Sequence, residues 1–405
     1  GGTGNDRIFG GANDPASDIL VGDNGVVVLN DPDASSAERF DIFTTDVDRD
    51  TFGVVLGVFG GQDEIHGGQG VDFILGGSGS NDVSDGNTVA GDNGDTITGD
   101  SGDDFILGDG GYLQRGPGGV VERIRSMDAE FGGDDSIDVD TGASPYASDG
   151  NDIILGGTGA DIIFGGTSQP AVDILLGDNG TVILSDPASA PGENHDIFTS
   201  DPEFGGADVI RGGGGDDFIL GGSDGDLNDG SSVPGDTIDG DAGNDIILGD
   251  GGYIVRDGNR IVTWIRTTDA QHGGNDTIDD TFDAGRDTIF GGTGNDIIYG
   301  GDNDASDDGA AELLVGDNGG IVLVGTQIID PGTAYEITVN QNDVYTSDPA
   351  HGGVDVIRGG RGADLILGGS GRTDSAGVDG DDITGGDADE NGDGGNDILL
   401  GDGGF

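Results

Sequence analysis

The sequence predicts an all-β solenoid of stacked short strands, on three observations. A nine-residue phrase, Gly-Gly-x-Gly-x-Asp-x-apolar-x, returns throughout the 405 residues. Each copy closes on an apolar triplet that reads as a short strand whose middle residue points into a core. The composition, with 89 Gly and no Cys, suits repeated tight turns and offers no disulfide to staple them.

The phrase is intact as GGTGNDRIF (1–9), GGQGVDFIL (67–75), GGTGADIIF (156–164), GGGGDDFIL (212–220), GGTGNDIIY (291–299) and GGRGADLIL (359–367). Asp takes the second position in GDSGDDFIL (99–107), GDAGNDIIL (240–248) and GDGGNDILL (392–400). Glycines let the backbone turn sharply and leave carbonyl oxygens free to converge, and the Asp adds a carboxylate. A set of hard oxygens without nitrogen or sulfur suits Ca²⁺, which takes about six to eight of them.

This phrase resembles the calcium-binding nonapeptide of the RTX (repeats-in-toxin) family. The resemblance implies a parallel β-roll, here an extended rod with inserted β-hairpins. In that family the Asp of the phrase and turn carbonyls of adjacent turns share each of many stacked Ca²⁺ ions. Carried over by position, the ligands are Asp6, Asp72, Asp104, Asp161, Asp217, Asp245, Asp296, Asp364 and Asp397, with Asp152 from the partial copy DGNDIIL. The shortened copies GGQDEIH, GGDDSID, GGADVIR, GGNDTID and GGVDVIR omit two turn residues, so Asp63, Asp135, Asp208, Asp276 and Asp355 rank second. Asp23, Asp178 and Asp317, in GDNG segments, rank third. The resemblance also implies type I secretion and an extracellular or cell-surface location. It is specific in the nonapeptides and silent on the inserts between them.

The charge agrees. The chain holds 71 Asp against 9 Glu, and its 14 positive residues are all Arg, for a net charge of −66. Such a charge opposes compaction unless cations neutralise it. About one Ca²⁺ per intact phrase would offset only about 18 charges, so further ions are expected elsewhere. There is no basic patch for nucleic acid. The longest apolar run, 52–59, is short and broken by glycines, so no membrane insertion is expected.

A longer period lies above the nonapeptide. GGTG opens at Gly1, Gly156 and Gly291; GDNG with an apolar run recurs at Gly22, Gly177 and Gly316; DIFT at Asp41 and Asp196 returns as DVYT at Asp343. LGDGGY at Leu107 and Leu248 returns as LGDGGF at Leu400. The chain is read as tandem modules, 1–155, 156–290 and an incomplete 291–405. Both ends fall mid-pattern, and the chain is expected to be a segment of a longer protein.

Each module interrupts the roll twice. After GDNG come a strand (26–29, 182–184, 321–324), a variable loop and the DIFT strand. After GDGG comes a β-hairpin, 253–256 with 260–266, matched by 112–115 with 120–125. These hairpins hold Arg115, Arg123, Arg125, Arg256, Arg260, Arg266 and the only Trp, Trp264. They either project as a contact surface or fold back on the roll. Apolar residues flanking the strand centres (Phe105 and Leu107, Ile246 and Leu248, Ile297 and Tyr299) predict strands covered on both faces, by the inserted hairpins, a second roll or a neighbouring chain, with intrachain cover as the default.

Other motifs reduce to the repeat. Ser101, in a GDSG resembling the nucleophile segment of trypsin-like proteases, sits at a variable repeat position with Ala242 as its counterpart. GGTG returns only once per module, too sparsely for the flat array of RTX ice-binding repeats. His272 and His351 stand where Phe131 and Phe204 stand in equivalent segments, so they read as packing aromatics, and His66 and His195 have no counterpart. No catalytic motif is present and no enzyme is expected. The expected function is a calcium-dependent extracellular structural protein, the repeat segment of a filament, S-layer or matrix fibre. The alternatives are the stalk of a giant RTX adhesin and the C-terminal RTX secretion region of a toxin or hydrolase. Expected partners are further modules or copies of the chain, with cell-surface or matrix contact.

Overall fold

One strand and one glycine turn are all that nine residues supply, so two phrases complete a circuit and the next circuit stacks on the first. In a computed structural model of the chain, the described residues are 1–11, 15–28, 42–45, 47–49, 55–58, 60–78, 94–116, 119–138, 150–166, 171–185, 196–224, 234–279, 285–301, 311–329, 337–348, 350–369, 380–385 and 396–401. Short strands joined by turns and irregular links make them up, with no helix among them. The chain divides into two units, Gly1–Ala188 with Thr199–Ile219, and Ser189–Phe198 with Leu220–Phe405.

In the first unit the chain alternates between two parallel sheets. The first holds Arg7–Gly11, Glu64–Gln69, Thr96–Ser101, Ser136–Ile137, Ile162–Phe164 and Val209–Gly214; the second holds Ile19–Val21, Phe73–Leu75, Phe105–Leu107, Ile153–Gly157 and Ile174–Asp178. Register follows the phrase, with like positions stacked: Phe105, Ile106 and Leu107 pair with Phe73, Ile74 and Leu75. The phenyl rings of Phe73 and Phe105 stack 5.4 Å apart. The second unit repeats the scheme. Its first sheet holds Pro234–Ala242, Asn275–Asp279, Ile297–Tyr299, Val356–Arg358 and Asp382–Thr384; its second holds Ile246–Asp250, Thr288–Gly292, Leu313–Asp317, Leu365–Leu367 and Ile398–Leu400. Both units are parallel β-rolls.

The core is a column of middle residues. Ile65, Ile97, Ile137, Ile163 and Ile210 of the first sheet and Ile74, Ile106, Ile154 and Leu175 of the second are wholly buried, as are Ile238, Ile278, Ile298, Ile247, Ile289 and Leu314 in the second unit. Stacked aliphatics of one size keep each circuit in contact with the next and bury several hundred Å² of apolar surface.

The inserts build a third, antiparallel sheet in each unit. In the first it runs Gly25–Val27, Ile42–Thr44, Gly111–Arg115, Val121–Ser126, Gly180–Ile183; in the second it includes Gly252–Arg256, Val262–Thr267, Gly319–Val322 and Asp343–Thr346. The strands after GDNG therefore begin at the final glycines of that motif, earlier than expected. The Arg-bearing hairpins do not project. Each pairs on its far side with the next insert, Ile124 with Val182 and Ile265 with Ile321. Leu113, Ile124 and Ile254 are fully buried. Arg115 lies 5.8 Å over the Phe73 ring, and Arg256 sits 3.9 Å from Asp196 with its side chain only 7% exposed. The hairpins thus fold back over the second sheet, where Leu107 and Leu248 are buried.

Intrachain cover holds for that sheet only. On the first sheet Ile297 is 36% exposed and Phe9 60% exposed, which corrects the expectation for Ile297 and Tyr299. Within the chain no insert strand among the described residues covers them, and their apolar character suits strand formation. Two further hairpins, Val47–Arg49 with Val55–Val58 and Thr326–Ile329 with Ile337–Asn340, extend the inserts.

Ile106→Ala is expected to cost about 2–5 kcal/mol, because the neighbouring circuits cannot close over the lost volume. Hydrogen exchange should rise in Phe73–Leu75 and Ile153–Gly157, which pair with its strand, and remain unchanged at Val356–Arg358.

Candidate metal sites

The acid at position six of the phrase precedes the buried aliphatic at position eight by two residues. It therefore shares that residue's inward direction and lands at the mouth of the strand, beside the glycine turn. Repetition stacks these acids into two rows per unit. In the first unit the backbone N–H of Asp6 donates to Asp63 Oδ1 at 2.7 Å, Asp63 to Asp95 at 2.7 Å, Asp95 to Asp135 at 2.6 Å, Asp135 to Asp161 at 2.7 Å and Asp161 to Asp208 at 2.7 Å. The second row runs Asp18, Asp72, Asp104, Asp152, Asp173 and Asp217, each N–H donating to the next Oδ1 at 2.7 Å. In the second unit one row is Asp236, Asp276, Asp296, Asp355 and Asp381, and the other is Asp245, Asp287, Glu312, Asp364 and Asp397.

The rows leave a second oxygen over. Oδ2 of Asp63, Asp72, Asp104, Asp135, Asp161, Asp173, Asp276, Asp296 and Asp355 is buried without a hydrogen-bond partner among the described residues. Each lies beside a glycine that begins a phrase. A Cβ on Gly67 would strike Asp72 Oδ2 and the Gly99 carbonyl oxygen; on Gly156, Asp161 Oδ2 and the Gly177 carbonyl; on Gly291, Asp296 Oδ2 and the Gly316 carbonyl. Carboxylate and carbonyl oxygens from successive circuits thus converge on cradles that only glycine leaves open. An all-oxygen cradle with an unsatisfied buried carboxylate fits Ca²⁺ and lacks the nitrogen and sulfur that softer metals prefer.

The shortened copies are corrected. They omit nothing: an insert splits them between positions two and three. Gly22 stands to Asp63 Oδ2 and the Gly76 carbonyl as Gly67 stands to Asp72 and Gly99, and Gly108, Gly249 and Gly316 stand likewise to Asp135, Asp276 and Asp355. Gly61, Gly206 and Gly353 stack directly on Gly4, Gly159 and Gly294, the position-four glycines of intact phrases. Asp63, Asp135, Asp208, Asp276 and Asp355 therefore occupy the same rows as the intact-phrase acids.

In each of these five copies position two is an acid: Asp23, Asp109, Asp178, Asp250 or Asp317. In four of them, Asp109, Asp178, Asp250 and Asp317, the carboxylate closes the turn across the insert. Gly133 N–H donates to Asp109 Oδ1 at 3.2 Å, Gly206 to Asp178 at 3.1 Å, Gly274 to Asp250 at 3.2 Å and Gly353 to Asp317 at 2.7 Å. This is the side-chain-to-backbone bond of an Asx turn, made over an interruption of the chain. In intact phrases Asp100 and Asp241 hold position two with φ of 67° and 63°, the left-handed conformation Asp tolerates.

Burial sets the electrostatics. It pushes Asp104 up to about 9, with the Asp152 carboxylate adding to the effect, and Asp173 to about 9. Asp109, Asp135 and Asp296 are raised well above the usual carboxylate range, by burial first and then by neighbouring carboxylates. Without metal the rows favour protons, which a divalent cation would have to displace.

Some row members escaped the sequence. Asp18, Asp95, Asp173, Asp236, Glu312 and Asp381 lie in copies interrupted after an opening Gly-Gly (10–11, 76–77, 165–166, 221–222, 300–301 and 368–369), and Asp287 lies in one that has lost that pair. Their remaining signal is an acid two residues before a branched aliphatic. The histidines stand apart from the rows. The backbone N–H of Phe131, Phe204, His272 and His351 donates to the carbonyl of Asp128, Asp201, Asp269 and Asp348 respectively, so all four occupy one kind of turn. His66 stacks on Phe9 at 5.0 Å with Nδ1 2.7 Å from Thr98 Oγ1. His195 lies outside the described residues.

The family model of the RTX calcium-binding nonapeptide repeat, built on four copies, matches residues 1–29, 60–83, 85–112, 146–168, 205–227, 235–253, 281–304 and 350–372. The chain carries RTX calcium-binding repeats. The matches at 60 and 205 resume at the return points of inserts, after the first two residues of a split copy. No curated protein matches the chain.

Two outcomes test the rows. Gly67→Ala is expected to weaken Ca²⁺ binding locally, because its methyl group occupies the cradle beside Asp72; calorimetric titration should show fewer ions bound with the remaining affinities unchanged. Metal-free chain should lose stability as pH rises from about 4 to about 9. The unfolded acids titrate near 3.9, while Asp104 and Asp173 keep protons in the folded state up to about 9. The folded state then binds more protons in that window, so its stability falls with pH. In Ca²⁺ the trend should reverse, since the metal needs the ionised carboxylates. Circular dichroism melts against pH, with and without Ca²⁺, read both trends.

Proposed function

We propose that the chain is a calcium-loaded structural repeat segment of an extracellular assembly, a filament, surface layer or matrix fibre. One observation carries this reading: in each unit the acids that would hold calcium are themselves the joints between circuits. Asp72, Asp104, Asp161, Asp276, Asp296 and their row neighbours would hold the ion together with turn carbonyls. When bound, Ca²⁺ neutralises the stacked carboxylates and ties adjacent circuits. Ion binding is then folding rather than a signal read by a separate domain. Typical secretion of RTX repeat proteins supports the extracellular placement, where calcium is abundant. The inserts support it too, because their described strands build a further sheet on the roll. On this reading the chain is not an enzyme, and its partners are further modules or copies of itself. A net charge of −66 disfavours nucleic acid. No helix among the described residues is long and apolar enough to cross a membrane.

The metal-free chain should be expanded, as acidic and weakly apolar chains are. Ca²⁺ should restore its β structure at about 10⁻⁴ to 10⁻³ M, the range of extracellular modules. Circular dichroism and light scattering during chelation test the folding, and negative-stain imaging at millimolar Ca²⁺ tests the assembly. A β spectrum that survives exhaustive chelation would sink the calcium part. Strictly monomeric particles would remove assembly by this segment alone.

A further inference from the structure

The split copies carry acids at both position two and position six, and one of them gathers a third. Asp224, Asp250 and Asp276 each place a carboxylate oxygen within 4.8 Å of the others. Asp250 ends the strand Ile246–Asp250, immediately before the hairpin of Gly252–Arg256 and Val262–Thr267 leaves the roll. Asp276 lies in Asn275–Asp279, where the chain returns. Asp224 follows the strand Phe218–Gly222, and a Cβ on Gly274 would meet its Oδ2.

A second observation points to a ligand. Asp276 is 1% exposed, and its Oδ1 accepts the Asp236 N–H at 2.8 Å. Its Oδ2 is enclosed with no hydrogen-bond partner among the described residues, at the cradle that Gly249 and the Gly291 carbonyl leave open. Asp250, also 1% exposed, accepts the Gly274 N–H at 3.2 Å on Oδ1 and the Thr293 N–H on Oδ2, so each oxygen retains a lone pair.

We propose that Asp224 and Asp250 join the row acid Asp276 in a three-carboxylate hard-cation site, filled by Ca²⁺, that latches the base of the 252–267 hairpin. An intact row position offers one Oδ2 and a turn carbonyl, whereas three carboxylates converge here, and calcium affinity rises with ligand charge and site rigidity. The ligands come from before the exit, after the return and the preceding circuit. Occupancy therefore fixes the third sheet to the roll as well as circuit to circuit. The site fills before the other row positions do, so the hairpin docks at lower calcium than the rest of the unit needs.

This inference rests on the calcium reading above, and its test separates the two. Ca²⁺ titration of the full chain by isothermal calorimetry, with hydrogen exchange followed in parallel, compares wild type with Asp224→Asn, Asp250→Asn and the row variant Asp104→Asn. Asp224 stands outside the rows, so Asp224→Asn leaves them intact. Wild type is expected to fill a tight class first, and Asp224→Asn to lose one ion from it. Residues 252–267 of that variant should need at least about tenfold more Ca²⁺ for protection. Residues 96–107 should keep their wild-type calcium dependence there and lose it only in Asp104→Asn. Wild-type stoichiometry and unchanged 252–267 protection in both Asp224→Asn and Asp250→Asn would overturn the latch while leaving calcium binding intact. A wild-type chain that binds no Ca²⁺ overturns both readings.

Discussion

Carboxylates stacked at strand spacing are the constraint on which everything else in this protein depends. Parallel pairing puts successive circuits about 4.8 Å apart, so each acid in a row faces a like charge at that distance. At an effective dielectric near 20 the repulsion is about 3–4 kcal/mol per ionised neighbouring pair, comparable to the loss of a buried aliphatic side chain. The row N–H···Oδ1 bonds offset part of it, and protons or cations must supply the rest. The glycines follow from the same requirement. They leave open the space beside Oδ2 into which an ion fits, and any side chain there would close it.

The inserts obey that constraint too. All five enter between positions two and three, never between position six and the buried aliphatic at position eight. Entry at position three leaves the acid, the strand and the row bond untouched, and in four of the five the position-two carboxylate restores the turn across the gap. The third sheet then has a fixed place, above the second parallel sheet, because every insert departs after a strand of that sheet. One face of the roll is thereby covered by Tyr-, Arg- and Trp-bearing strands, while Phe9 and Ile297 on the other remain exposed.

Much of this was legible in the residues themselves. The nine-residue phrase carries both the position-six acid and the position-eight aliphatic, so Asp72, Asp104, Asp161 and Ile74 fall in place from spacing alone. The split copies were not legible, because an interruption after two residues and a deletion of two residues leave the same string, GG-x-D. Only stacking of Gly61 on Gly4 and Gly206 on Gly159 distinguishes them. Asp18, Asp173 and Glu312 were hidden for a related reason: an interruption separates each from the opening Gly-Gly of its copy, at 10–11, 165–166 and 300–301, and no acid at position two marks the break. The fate of the hairpins also depended on distant pairing, Ile124 with Val182 and Ile265 with Ile321, across separations that no local pattern encodes.

The turn that closes over each insert has one more consequence. The residues joined by the Asp109, Asp178, Asp250 and Asp317 bonds lie 24, 28, 24 and 36 positions apart, yet the bond is the same. Chain length at that point is uncoupled from the geometry of the circuit, and lengthening a closed loop adds only slowly to its entropic cost. Position three is therefore a socket. Evolution can vary what is displayed there, and a protein engineer can graft a foreign peptide into it, while the scaffold beneath keeps its pitch.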